Sequence, residues 1–169
     1  VFGHNNVISG AVAPGSQNNT LIGSGSVIQG RAVDSSILIG TMSMLSADNS
    51  IVIGNRNRLS GSANVAAAQA KRQVVIGHNN AVSGQGSSIL IGNNNIGMTS
   101  GGTIIGQENT GPFNKVDPTR PPVIIGTGNT SNATFSGATV IGQSNDANGS
   151  QGAVVIGDEN AIKGGFSTN

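Results

Sequence analysis

The chain has 169 residues, 36% of them hydrophobic, which suffices for one domain with a core and is too apolar for wholesale disorder. Only 9% of the residues are charged and the formal net charge is +1, so no long-range field exists to gather nucleic acid or an anionic membrane. Cysteine is absent, which excludes disulfides and thiolate metal sites, and no apolar run reaches the roughly 18 residues of a membrane span.

The apolar content has a particular make-up. There is no Trp or Tyr and only 4 Phe, so a core must be built from Ile, Val, Leu and Ala and must be thin and regular. In chain order the sequence repeats an aliphatic pair closed by glycine. Val1-Phe2-Gly3 opens the series, and Leu21-Ile22-Gly23, Leu38-Ile39-Gly40, Val52-Ile53-Gly54, Val75-Ile76-Gly77 and Leu90-Ile91-Gly92 continue it. Ile104-Ile105-Gly106, Ile124-Ile125-Gly126, Val140-Ile141-Gly142 and Val155-Ile156-Gly157 complete it. The glycines are separated by 20, 17, 14, 23, 15, 14, 20, 16 and 15 residues. A fixed minimum with variable excess is the mark of a solenoid that takes insertions on its rim. The whole of 1–169 therefore reads as one repeat domain, a segment of a longer array, with loop insertions near 11–18, 31–35, 62–72, 111–122 and 131–136.

Three residues after the glycine stand Asn6, Asn57, Asn80, Asn95, Asn109, Asn129, Asn145 and Asn160, with Ser26 and Ser43 in the other two coils. Stacked coils align these into a ladder at a turn, where an amide both donates and accepts and tolerates left-handed backbone. The ladder is read as structural rather than as a ligand site. Five residues after the glycine a second aliphatic follows in six coils, as Ile8, Ile28, Leu45, Leu59, Val82 and Ile162, which predicts a second strand per coil. At the same position the later coils hold Gly97, Gly111, Ser131 and Ala147, so the core is expected to narrow there and the second strand to form poorly. At ~4.8 Å per coil the rod is roughly 45 to 50 Å long.

Alternation along the first strand places residues one and three before the glycine on one side and the residue between them on the other. The flanking residues, such as Ile51 with Ile53, are assigned to the interior. The intervening residues, Leu21, Leu38, Val52, Val75, Leu90, Ile104, Ile124, Val140 and Val155, are assigned to the outside, without one polar exception. Such a stripe is too apolar to leave in water, so burial against copies of the same chain is expected and these nine are the predicted interface between the copies, a trimer interface if the resemblance described next holds.

Asn49-Ser50-Ile51-Val52-Ile53-Gly54-Asn55-Arg56-Asn57 resembles the head repeat of trimeric autotransporter adhesins of the Yersinia adhesin type, and the likeness extends along essentially the whole chain. The resemblance implies an all-β fold, a left-handed parallel β-roll that forms a homotrimer. It further implies a place on a Gram-negative cell surface and binding to host matrix protein. Similar rolls occur in phage tail fibres, which gives the alternative of a mechanical segment of a filament or virion surface. The family carries a small Ala where this chain has Val52, Leu38 or Ile104. The stretches Asn6-x-Ile8-x-Gly10 and Asn57-x-Leu59-x-Gly61 also resemble the repeat of grass ice-binding proteins, but the irregular outward neighbours Ser9, Gln29, Ser60, Ser83 and Lys163 count against ice recognition.

An enzyme is not expected. Hexapeptide-repeat acyltransferases need three six-residue steps per coil, which coils of 14 and 15 residues cannot hold. His4 and His78 lie four coils apart, roughly 19 Å, too far to share a metal. The seven carboxylates are scattered over turns and insertions, with no spacing that singles out a hydrolytic pair. No catalytic residue, metal or cofactor is assigned. Arg56, Arg58, Lys71 and Arg72 fall within one coil and its insertion and are the candidate ligand-binding group, for an extracellular matrix protein or glycan; a solvated rim is the plainer reading. The Pro-rich insertion 111–122 is the other candidate for partner contact.

Overall fold

The computed structural model describes residues 1–9, 18–29, 33, 35–47, 49–60, 72–84, 86–99, 101–111, 121–131, 137–148 and 152–163. The described residues contain strands and no helix. Ten strands form one parallel sheet in which each pairs with the next: β1 (Phe2–His4), β3 (Thr20–Ser24), β5 (Ile37–Thr41), β7 (Ile51–Asn55), β9 (Val74–His78), β11 (Ser88–Asn93), β13 (Gly102–Gln107), β14 (Val123–Thr127), β15 (Thr139–Gln143) and β17 (Val154–Asp158). A six-stranded parallel sheet runs through β2 (Val7–Ser9), β4 (Val27–Gln29), β6 (Met44–Ser46), β8 (Arg58–Ser60), β10 (Ala81–Gly84) and β12 (Ile96–Thr99). The last pair is β16 (Asp146–Asn148) with β18 (Ala161–Lys163). This is a parallel β-solenoid, and each strand of the large sheet with its following turn is one rung, numbered 1 to 10 in chain order.

The register is set by the glycines. Gly23 pairs with Gly3 on one side and Gly40 on the other, and Gly77, Gly92, Gly106, Gly126, Gly142 and Gly157 form an unbroken file. A Cβ built on Gly92 would lie 1.8 Å from the carbonyl oxygen of Gly106, and the φ of +130° there is one that side-chain-bearing residues rarely adopt. The repeated glycine is thus a requirement of close rung stacking.

The interior contradicts the predicted facing. Leu21, Leu38, Val52, Val75, Leu90, Ile104, Ile124, Val140 and Val155, expected outside at a trimer interface, form the core of the single chain, none more than 4% exposed. They pack with Ile28, Leu45, Leu59 and Val82 of the second wall, and Ile8 and Ile162 close the two ends. The residues expected inside, Ile53 and its equivalents one and three before the glycine, face outward. The physical reason lies at the turn. The residue two after the glycine is left-handed in every rung, for example Arg56 at φ 55° and Asn79 at φ 53°. That residue resets the two-residue alternation, so the inward set is the residue two before the glycine together with those three and five after it.

The second wall thins where small residues were noted. After Gly92 strand β12 still forms, with Gly97 opposite Val82, and β16 forms after Gly142. Between them the wall is reduced to single-residue bridges from Ile96 to Thr110, to Thr130 and to Asp146. Larger side chains of the first wall fill the space. A Cβ on Gly97 would meet Leu90 Cδ1 at 2.8 Å, and one on Gly111 would meet Ile104 Cδ1 at 2.8 Å.

Candidate interaction surface

Two polar ladders pin the rungs from inside. In the first, Asn57, Asn80, Asn95, Asn109, Asn129 and Asn145 are buried. From Asn80 onward each backbone N–H donates to the Oδ1 of the asparagine one rung back, at 3.0 Å for Asn95 onto Asn80, while Asn57 N donates to Ser43 Oγ. From Asn80 onward each Nδ2 donates to that same oxygen and to the glycine carbonyl one rung ahead, as Asn95 does to Gly106 at 2.8 Å, while Asn57 Nδ2 donates to Ile53 O and Gly77 O. All the amide's hydrogen-bonding capacity is spent within the chain, so these residues have nothing to offer a ligand. Ser26 and Ser43 continue the ladder with hydroxyls, Ser43 N donating to Ser26 Oγ at 3.2 Å. Asn6 is half-buried and Asn160 exposed, at the two ends. The left-handed residue of the turn precedes the ladder asparagine, whose own contribution is its amide rather than its backbone tolerance.

A second ladder, which the sequence reading missed, runs along the opposite turn, four residues before the glycine. Ser36 N donates to Asn19 Oδ1 at 3.0 Å, Ser50 N to Ser36 Oγ at 3.2 Å, and Gln73 N to Ser50 Oγ at 3.2 Å. Its signal was present in the sequence as small polar residues at one fixed offset from the glycine. The offset ends in Gly102, Pro122, Ala138 and Ala153 in later rungs, which have no side-chain acceptor to pass the pattern on.

The outer face of the ten-stranded sheet is apolar over its length. One column holds Phe2, Ile22, Ile39, Ile53, Ile76, Ile91, Ile105, Ile125, Ile141 and Ile156; the column two residues earlier holds Thr20, Ile37, Ile51, Val74, Ile89, Thr103, Val123, Thr139 and Val154. Mid-column exposure is 36 to 40% for Ile22, Ile39, Ile53, Ile89, Ile105 and Ile125, and Ile51, Val74, Ile76, Ile91 and Ile141 are half-buried, because each side chain is flanked along the axis by its equivalent. At ~4.8 Å per rung and ~3.3 Å per residue along a strand, the two columns form a strip that runs about 43 Å along the axis, with the columns about 7 Å apart. The residue after the glycine, such as Asn55, His78 or Gln107, is exposed and gives the strip a polar rim.

The basic group is not brought together. Arg56 and Arg58 are exposed on either side of the ladder residue Asn57, at the glycine turn of rung 4. Arg72 lies at the opposite turn, beyond the far end of the five-residue strand β9, which is about 16 Å long. Lys71 and most of the 62–72 and 111–122 insertions lie outside the described residues. His4 and His78 are exposed and four rungs apart. Among the described residues no three His, Asp or Glu side chains are placed to hold a metal ion. Compared with protein-family models, with curated proteins and with solved structures, the chain matches none significantly.

Proposed function

We propose that this chain is a rod-like segment of an extracellular adhesin or fibre. It assembles as a homotrimer through the outer face of the ten-stranded sheet and presents the remaining, polar surface to a host matrix protein or glycan. The observation that carries this reading is the continuous file of branched aliphatics from Ile22 to Ile156 on the outer face, in which Ile22, Ile39, Ile53, Ile105, Ile125 and Ile156 are exposed and Ile76, Ile91 and Ile141 half-buried. Water contact over so long a strip is unfavourable by ~25 cal/mol per Å² of apolar area, and copies of the same chain supply a cover with the same ~4.8 Å rung spacing. This assigns the subunit contact to the residues one and three before the glycine, in place of the nine core residues first expected there. The cell or virion surface is the corresponding location, and the sequence resemblance to trimeric autotransporter heads supports the same reading.

A mechanical role within a filament or phage fibre is the second reading. It is favoured by the outer face of the second wall, where Val27, Met44, Arg58 and Ala81 follow one another in register with no repeated chemistry for a repetitive ligand to match. Mass measurement in solution tests the assembly, and collagen and glycan arrays separate the two roles. A monomer at all concentrations overturns the trimer; a trimer that binds nothing on either array leaves the mechanical reading.

A further inference from the structure

The glycine turn presents a second surface, distinct from the apolar strip. Its apex is the left-handed residue two after each glycine, and each apex N–H is tied to the rung before. Arg56 N donates to Thr41 O at 2.9 Å, Glu108 N to Asn93 O at 3.0 Å and Glu159 N to Gln143 O at 2.9 Å. The apices therefore advance in equal steps of one rung. Their charges are segregated along the axis: Arg56 is on rung 4, Glu108 on rung 7 and Glu159 on rung 10, all exposed.

We propose that this edge pairs with the same edge of a second copy running antiparallel, about a two-fold axis between rungs 5 and 6. Rung 4 then faces rung 7, so Arg56 of each copy meets Glu108 of the other. Rung 3 faces rung 8, so the exposed Met42 side chain lies over Gly128, which has none. At the ends His4 faces Asp158. The alternatives are worse. A parallel pair in register sets Arg56 on Arg56 and Glu108 on Glu108. A parallel pair shifted by three rungs gains one Arg56–Glu108 contact but drives Glu108 of the first copy onto Glu159 of the second. Only the antiparallel dyad forms both opposite-charge pairs with no like-charge encounter on the apices, and charge patterns of this kind select orientation more than they add affinity.

The pairing does not depend on the trimer, and the test separates the two. Sedimentation velocity of the full chain at low (about 20 mM) and high (about 0.5 M) salt should show edge pairing that weakens about tenfold or more as salt screens it. R56E and E108R should each lose the pairing, with circular dichroism confirming the fold. An equimolar mixture of the two variants should regain it, because Glu at 56 meets Arg at 108 while Glu108 meets Arg56. Ile39→Ser with Ile53→Ser removes apolar contact on the sheet face and should leave the salt-dependent pairing in place. Pairing indifferent to salt, single variants that pair like the parent, or a mixture no better than its components would each overturn the proposal.

Discussion

The backbone N–H and the side-chain Nδ2 of Asn80 both donate to Oδ1 of Asn57, at 3.0 and 3.1 Å, across a gap of 23 residues in sequence. One oxygen thus fixes two donors of the next rung. The insertion between these asparagines leaves the step unchanged, because the ladder bond and the glycine file set rung spacing locally.

Removing a central ladder residue should be costly. Asn109→Ala deprives Asn129 N and Asn129 Nδ2 of their shared acceptor at 3.0 Å and leaves Gly126 O without its 2.7 Å donor. Buried groups left unpaired cost about 1–3 kcal/mol each, so a loss of about 3 kcal/mol is expected in urea denaturation. Asn109→Ser should lose less, since Ser26 and Ser43 pass the ladder on with a hydroxyl.

Gly92→Ala and Gly152→Ala form a matched pair. Both glycines have positive φ, but the Cβ at 92 would sit 1.8 Å from Gly106 O whereas nothing lies within 4 Å of the one at 152. The first should unfold the stack or cost more than about 4 kcal/mol. The second should cost about 1 kcal/mol, the left-handed backbone penalty alone. Thermal melts of the two variants measure the difference.

Substitutions on the two sides of β7 should separate stability from assembly. Val52→Ala opens a cavity among fully buried neighbours and should lower monomer stability by about 2 kcal/mol. Ile53→Ser on the outer face should change monomer stability by about 0.5 kcal/mol or less and instead weaken association, read by light scattering against concentration. A result with the two effects exchanged would restore the original facing.

The left-handed Met42, at φ 54° and 62% exposed, is an unfavourable choice for its position. Asn occupies the equivalent apex at Asn5, Asn79 and Asn94. Met42→Asn should therefore raise the unfolding midpoint, by the equivalent of about 0.5–1 kcal/mol.

Much of the architecture was legible without coordinates. The glycine interval, the asparagine three residues later and the aliphatic five later determined a parallel stack with two strands per coil, because each is a local requirement that recurs at fixed offset. The side on which each first-strand residue falls was not determined. Residues one, two and three before the glycine are all apolar in most rungs, so period-two alternation yields two sets without saying which is inside. A clue was available: of the two sides, the one that faces out is the one that admits polar residues, at Thr20, Thr103 and Thr139, although its other column, from Phe2 to Ile156, is as apolar as the core. The tertiary structure decided the matter through the left-handed apex residue, which turns the chain so that Val52, Asn57 and Leu59 close on one interior and Ile53 is left outside. Charge order along the turn edge likewise became a surface property only once the rungs were stacked, since Arg56 and Glu108 are 52 residues apart in sequence and three rungs apart in space.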